Sequence, residues 1–115
     1  MCGIAGMIDL QGVRTPPPSI VPTMAEVLMH RGPDEDGFYV ASGLHLANRR
    51  LSIFGLDDGR QPVSNEDGSV WAVFNGELYD YPQLRPRLEG KGHRFRTHTD
   101  TELLPHLWEE YGPQM

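Results

Sequence analysis

The chain has 115 residues, 38% of them in the apolar set, and its 10 basic and 16 acidic side chains leave a formal charge of −6. That length holds one small domain of about two layers and no second one, and the negative balance excludes the basic footprint with which proteins grip nucleic acid or anionic membranes. A single cysteine excludes an internal disulfide and a thiolate zinc cluster, and no apolar run approaches the roughly 20 residues of a membrane span.

Residues 2–8 form an apolar run interrupted at Asp9 and preceded by no basic segment. They read as a buried strand rather than a secretory signal, and the chain is expected in the cytoplasm. Pro16, Pro17 and Pro18 lead to Ser19 and to an apolar stripe at Ile20, Val21, Met24, Val27 and Leu28. This is helical spacing, with Pro22 tolerated in the first turn. Arg31-Gly32-Pro33-Asp34 ends that helix with turn chemistry. Residues 38–41 and 44–47 predict a hairpin around Ser42-Gly43. Residues 70–74 and 77–79 flank Asn75-Gly76, the strongest short hairpin signal, and residues 94–97 predict one more short strand.

Leu84 and Leu88 fall on one helical face, with Gly90 placed as a C-terminal cap and Pro86 expected to bend or shorten the helix. Thr99-Asp100-Thr101-Glu102 has the pattern of a capping box before Leu103, Leu104, Leu107, Trp108 and Tyr111. Pro105 within that last helix would cost about 3 kcal/mol if it removed an interior donor. The order of elements predicts a mixed α+β fold with a largely antiparallel sheet. Ending directly after an amphipathic helix reads as a portion of a domain rather than a finished one.

Cys2 is the sharpest candidate for chemistry. Removal of Met1 would set a thiol, with an ordinary pKa near 8.5, beside a free α-amine of pKa about 7.7 to 8.0, which makes nucleophile and base on one residue. The plain alternative is a small apolar residue opening a strand. Asn75-Gly76 reads either as a hairpin turn or as an oxyanion hole, each donor worth roughly 3 kcal/mol on a tetrahedral intermediate. Arg49 and Arg50 point to opposite faces of a strand, so one faces inward, where a guanidinium suits a carboxylate. Asp100 suits either the first turn of a helix or a substrate ammonium. Asp34 and its turn read as structural, and Glu109-Glu110 as a solvated helix face. The histidines, His30, His45, His93, His98 and His106, show no local metal-ligand spacing, and no metal is expected.

Together MCGIAG, HRGPD, RRLSIFGL, FNGELYDY and GHRFRTHTDTE, five separated segments in this order across essentially the whole chain, resemble the class II glutamine amidotransferases. Within them the likeness is to the glutamine-hydrolysing domain of the asparagine synthetases. The resemblance implies the N-terminal-nucleophile hydrolase fold, an αββα sandwich, of which residues 1–115 would be the N-terminal portion. Cys2 would be the nucleophile, Asn75 and Gly76 the oxyanion hole, and Arg50 the ligand of the glutamine α-carboxylate. Asp100 would take the glutamine ammonium, Glu77 would touch glutamine beside the oxyanion hole, and Leu51, Ser52, Ile53 and Phe54 would line the pocket. Where such sequences often carry a histidine two residues before the arginine and an aspartate after the Ser-Ile pair, this chain has Asn48 and Gly55.

The implied reaction hydrolyses glutamine to glutamate through a Cys2 thioester and supplies ammonia for ATP-dependent amidation of aspartate to asparagine. No nucleotide-binding loop is present in these residues, so ATP and Mg are expected only with a synthetase domain outside this chain. The partners implied are glutamine and that synthetase domain, with a homodimer left open. The alternatives are an inert structural or partner-binding piece of the same fold, or the glutaminase of a relative with another ammonia acceptor.

Overall fold

A computed structural model describes residues 1–12, 14, 16–51 and 58–115. Its centre is a three-stranded antiparallel sheet in the order β1-β3-β2, built from β1 (Gly3–Ile8), β2 (Glu35–Ala41) and β3 (Leu44–Arg50). β2 and β3 form a hairpin whose turn is closed by Gly43 at φ 74°, a left-handed value that glycine takes without a Cβ penalty. Pairing sets Gly3 opposite Arg49 and Glu35 opposite Arg50.

Alternation along the strands divides the sheet into two faces. One is covered by α1 (Ile20–Val27), whose Val21 and Ala25 pack on Ala47 with Ala5 beside them. Small side chains at this contact let helix and sheet approach closely. Ser19 makes no side-chain cap; its carbonyl instead accepts from the Thr23 amide at 3.1 Å and the Thr23 hydroxyl at 2.9 Å.

The other face carries Tyr39 and Asn48 and meets a two-stranded ribbon, β4 (Val63–Ser64) and β5 (Trp71–Ala72). Trp71 stacks on Tyr39 with ring centroids 4.2 Å apart. The segment leading into the ribbon lies so close that a Cβ on Gly37 would sit 1.8 Å from the Gln61 carbonyl oxygen. Behind the ribbon lie α2 (Tyr81–Gly90), a 3-10 turn at Asp100–Glu102, α3 (Leu103–Tyr111) and a last 3-10 turn at Gly112–Gln114. Leu88 and Leu103 are fully buried there. The layers thus run helix, sheet, ribbon, helices, an α+β arrangement. No helix among the described residues is long and apolar enough to cross a membrane.

Several expectations are corrected. Asn75-Gly76 is not a hairpin turn: β5 pairs backward with β4, and residues 77–79 form no strand. Residues 94–97 are not a strand either, because the amides of Arg96 and Thr97 donate to the Glu102 carboxylate, each at 2.7 Å, rather than to a ladder. The same contacts remove the capping box, since the Glu102 carboxylate is taken by the amides of residues 96 and 97 and Thr99 makes no cap hydrogen bond. Pro86 leaves α2 continuous from Tyr81 to Gly90. Gly90 is the last helical residue rather than the cap, with Gly92 at φ 107° turning the chain. Pro105 is the third residue of α3, where an amide would lack an intrahelical partner in any case, so the interior penalty does not arise.

Candidate active site

Cys2 immediately precedes β1 and is half-buried, with a free thiol. Its carbonyl accepts a hydrogen bond from Arg31 Nε at 3.2 Å. Arg31 closes the turn of residues 28–31 that follows α1, and the residues just after it grip the neighbouring end of β3. Arg49 Nε donates to the Gly32 carbonyl at 3.0 Å, and the Asp34 amide donates to the Arg50 carbonyl at 3.1 Å. The segment Arg31 to Asp34, expected to end the helix, lies beyond it, since α1 stops at Val27; its part is instead to position both Cys2 and the end of β3.

Arg49 and Arg50 do point to opposite faces, and both are covered, with side chains 10% and 12% exposed. Each pairs with the acidic residue facing it on β2: Arg49 Nη1 with Asp36 at 3.0 Å, Arg50 Nη1 with Glu35 at 3.2 Å. The Arg50 guanidinium also lies flat against Gly59, where a Cβ would be 2.2 Å from Nη2. Beside Gly59, Asp58 accepts from the His98 ring at 2.9 Å and the His98 amide at 2.8 Å, and these hydrogen bonds hold its carboxyl below the usual range.

A chain of polar contacts joins β3 to the Asn75-Gly76 segment and to Asp100. Asn48, 2% exposed, donates from Nδ2 to Gln61 Oε1 at 3.3 Å, and the Phe74 amide donates to the same oxygen at 2.6 Å. Gln61 Nε2 donates to Thr101 Oγ1 at 3.4 Å; that hydroxyl lies 3.5 Å from Asp100 Oδ1, to which it donates in turn. Asp100 Oδ2 accepts the Leu78 amide at 2.7 Å. Asn75, Gly76 and Glu77 are exposed and lie between two anchored amides, Phe74 and Leu78. The Phe74 ring folds against Gly76, where a Cβ would be 2.5 Å from Cζ.

Leu51 is half-buried directly after β3. The pocket-lining expectation at Ser52, Ile53 and Phe54 lies outside the described residues, as does Gly55. Sequence reasoning missed Gln61 and the positioning role of Arg31. Their partners lie 13 to 40 residues away for Gln61 and 29 for Arg31, so no local spacing could have marked them.

Below Asp100, Glu102 is almost wholly buried at 1% exposure. Burial alone would push its carboxyl up. The His106 ring, the Arg96 amide, and the Thr97 hydroxyl and amide outweigh that and hold it at about 2. Glu102 thereby fixes residues 96–97, and with them the approach to Asp100.

The glutamine amidotransferase domain family matches residues 1–115. The chain is 42% identical over 114 residues to asparagine synthetase (glutamine-hydrolyzing) 2 of Bacillus subtilis (strain 168), a match covering 97% of this chain and 15% of the relative. It is 38% identical over 113 residues to asparagine synthetase (glutamine-hydrolyzing) 1 of the same organism, with 96% and 18% covered. Against asparagine synthetase (glutamine-hydrolyzing) 2 of Oryza sativa subsp. japonica it is 39% identical over 114 residues, with 99% and 19% covered. The chain thus spans less than a fifth of the length of these curated relatives.

Proposed function

The chain belongs to the glutamine amidotransferase domain family, and from that premise we propose that it carries the glutamine-hydrolysing centre of an asparagine synthetase, with Cys2 as N-terminal nucleophile. One observation carries the reading. The β1–β3 register ends with Gly3 opposite Arg49; continued by one residue, with strand alternation, it sets Cys2 opposite Arg50 on the face that bears Asn48. From Asn48 the contacts through Gln61 reach Phe74, next to Asn75 and Gly76. This supports a common face for Cys2, Arg50 and the segment that holds Asn75 and Gly76. The helix, sheet, ribbon, helix order fits the αββα sandwich of such hydrolases.

With Met1 removed, the α-amine of Cys2 takes the thiol proton and the thiolate attacks the carboxamide carbon of glutamine. Asn75 Nδ2 and the Gly76 amide hold the oxyanion, and the intermediate collapses as the α-ammonium passes its proton to departing ammonia. Water, deprotonated by the same amine, cleaves the thioester to glutamate and frees the thiol. Arg50 receives the α-carboxylate and Asp100 the α-ammonium, with Glu77 beside it and Leu51, Ser52, Ile53 and Phe54 along the side chain. Because Asp100 also anchors the Leu78 amide, the group that recognises substrate steadies the segment that stabilises the oxyanion. Ammonia then serves amidation of aspartate, with ATP and Mg acting outside this chain.

Intact mass spectrometry after incubation with a glutamine-mimicking diazoketone tests this reading. Expected are loss of Met1 and a single adduct that disappears in Cys2→Ala. An adduct that survives Cys2→Ala, or its absence from a folded chain lacking Met1, would overturn the assignment.

A further inference from the structure

We propose that this chain holds a divalent transition-metal ion, zinc foremost, in a tetrahedral site made by Glu66, His93, His106 and Glu109. The site is separate from the glutamine chemistry and does not rest on it. Glu66 lies in the turn between β4 and β5, His93 follows the chain reversal after α2, and His106 and Glu109 are three residues apart on α3. One ligand atom from each of the four lies within 4.8 Å of all the others.

The separations are those of a coordination shell. His93 Nδ1 and His106 Nδ1 are 3.2 Å apart. His93 Nδ1 is 3.4 Å from Glu66 Oε1 and 3.7 Å from Glu109 Oε2. His106 Nδ1 is 3.5 Å from Glu66 Oε2 and 3.7 Å from the same Glu109 oxygen. Zinc bonds of about 2.0 to 2.1 Å put tetrahedral ligand atoms about 3.3 to 3.4 Å apart, and octahedral neighbours about 2.9 Å apart. The five separations, 3.2 to 3.7 Å, lie nearer the tetrahedral spacing than the octahedral one, and the four ligand atoms together, within 4.8 Å of one another, form a somewhat open version of it.

The outward nitrogens supply an independent observation. His93 Nε2 meets Glu110 Oε1 at 3.1 Å, and His106 Nε2 faces Glu102 Oε1 at 3.9 Å. His106 Nε2 is buried with no hydrogen-bond partner among the described residues and its Nδ1 is the nitrogen that faces the cluster, while the Glu110 contact favours a proton on His93 Nε2 and turns its Nδ1 lone pair inward. Carboxylates behind metal-bound imidazoles do this. At 3.2 Å the two Nδ1 atoms share either one proton or one metal ion between them. His106 is fully buried, while Glu109 is exposed and opens the cluster to an ion arriving from solvent. Lys91 engages Glu110, on the outer side, while the Arg94 amide donates to Glu66 Oε1 at 2.5 Å and leaves Oε2 for a metal.

Two imidazoles with two carboxylates select zinc or a neighbouring transition metal over calcium or magnesium, which take oxygen shells. Four protein donors close the shell, as in a site that ties segments together rather than one that activates water. The expectation of no metal rested on local spacing, whereas this set is assembled from three separate segments.

The test uses the 115-residue chain carrying Cys2→Ala, which removes the thiol and with it the thiol–amine chelate that would compete for metal. After chelator treatment it is titrated with zinc by calorimetry and, separately, with cobalt(II) by visible absorption. Expected are one equivalent of zinc and the intense d–d bands of tetrahedral cobalt. Glu109→Gln and His93→Asn each lower zinc affinity at least tenfold with far-ultraviolet dichroism unchanged. Stoichiometric zinc binding absent from the folded chain, or unchanged in both substitutions, would leave only a His-Glu ion-pair network and overturn the proposal. Should the substitutions unfold the chain, the melting temperature of the Cys2→Ala parent decides: zinc raises it and magnesium does not, or the proposal fails.

Discussion

Glu102→Gln removes the charge on which residues 96–97 are hung while keeping the size of the side chain. A carboxyl lowered from an ordinary 4.5 to about 2 by its folded surroundings contributes about 3 kcal/mol of stability. The sign follows from the depression: the contribution is complete above pH 4.5 and is lost as pH falls from there toward 2, where the folded chain takes up the proton too. The amide keeps one acceptor oxygen but turns an NH2 toward the remaining donors at residues 96 and 97. At neutral pH the variant should therefore be less stable by about 2 to 3 kcal/mol, a sizeable part of the roughly 5 to 15 kcal/mol of an ordinary domain. Urea unfolding of both chains, in chelator, between pH 7 and pH 2.5 measures the gap. All other carboxylates titrate in both chains, so the difference isolates Glu102. A gap that stays constant down the whole range, or one below about 0.5 kcal/mol at pH 7, would refute the reasoning.

Two further predictions separate anchoring from recognition. Asp100→Asn keeps an acceptor for the Leu78 amide but loses the charge. It should raise the glutamine KM by about 10- to 100-fold with little change in thermal stability, the weight of one charge-assisted hydrogen bond. Asp100→Ala should add a stability loss of about 1 to 3 kcal/mol from the unsatisfied amide; equal melting temperatures for the two variants would argue against the anchoring role. Gly37→Ala forces a methyl group to within 1.8 Å of the Gln61 carbonyl. Separation of sheet and ribbon should cost about 3 kcal/mol or more and quench the Tyr39–Trp71 stacking signature in near-ultraviolet dichroism; a near-neutral result would contradict that close approach.

What could be read from the sequence was local. The first strand, α1, the Ser42-Gly43 hairpin, α2 and α3 each follow from a periodicity or a turn contained within a few residues. Misread segments were decided by neighbouring side chains rather than by alternation alone. Residues 70–74 carry an extended pattern, but the turn that pairs them lies before them: the Asn65 amide donates to the Val70 carbonyl, the Val70 amide donates to Asn65 Oδ1, and Gly68 takes φ 74° between them. Residues 94–97 alternate like a strand, yet Glu102 offers their amides a charged acceptor before any ladder can. For the candidate site, Cys2, Arg50 and Asp100 announce themselves by side-chain chemistry. Gln61, which links Asn48, the Phe74 amide and Thr101, carries no such mark, because its part is defined wholly by what folding brings to it.

The hydrogen bond from Arg31 to Cys2 falls on the carbonyl, not on the thiol or the amine. Cleaving the Met1–Cys2 peptide bond leaves that carbonyl untouched, so the tether is the same in the precursor and the trimmed chain. On the proposed reading, folding and maturation need not be coupled: the strand end can be secured first and the terminus unmasked afterwards. For the same reason Cys2→Ala or Cys2→Ser should keep the native tether, which makes either one a faithful inert mimic for trapping glutamine in place.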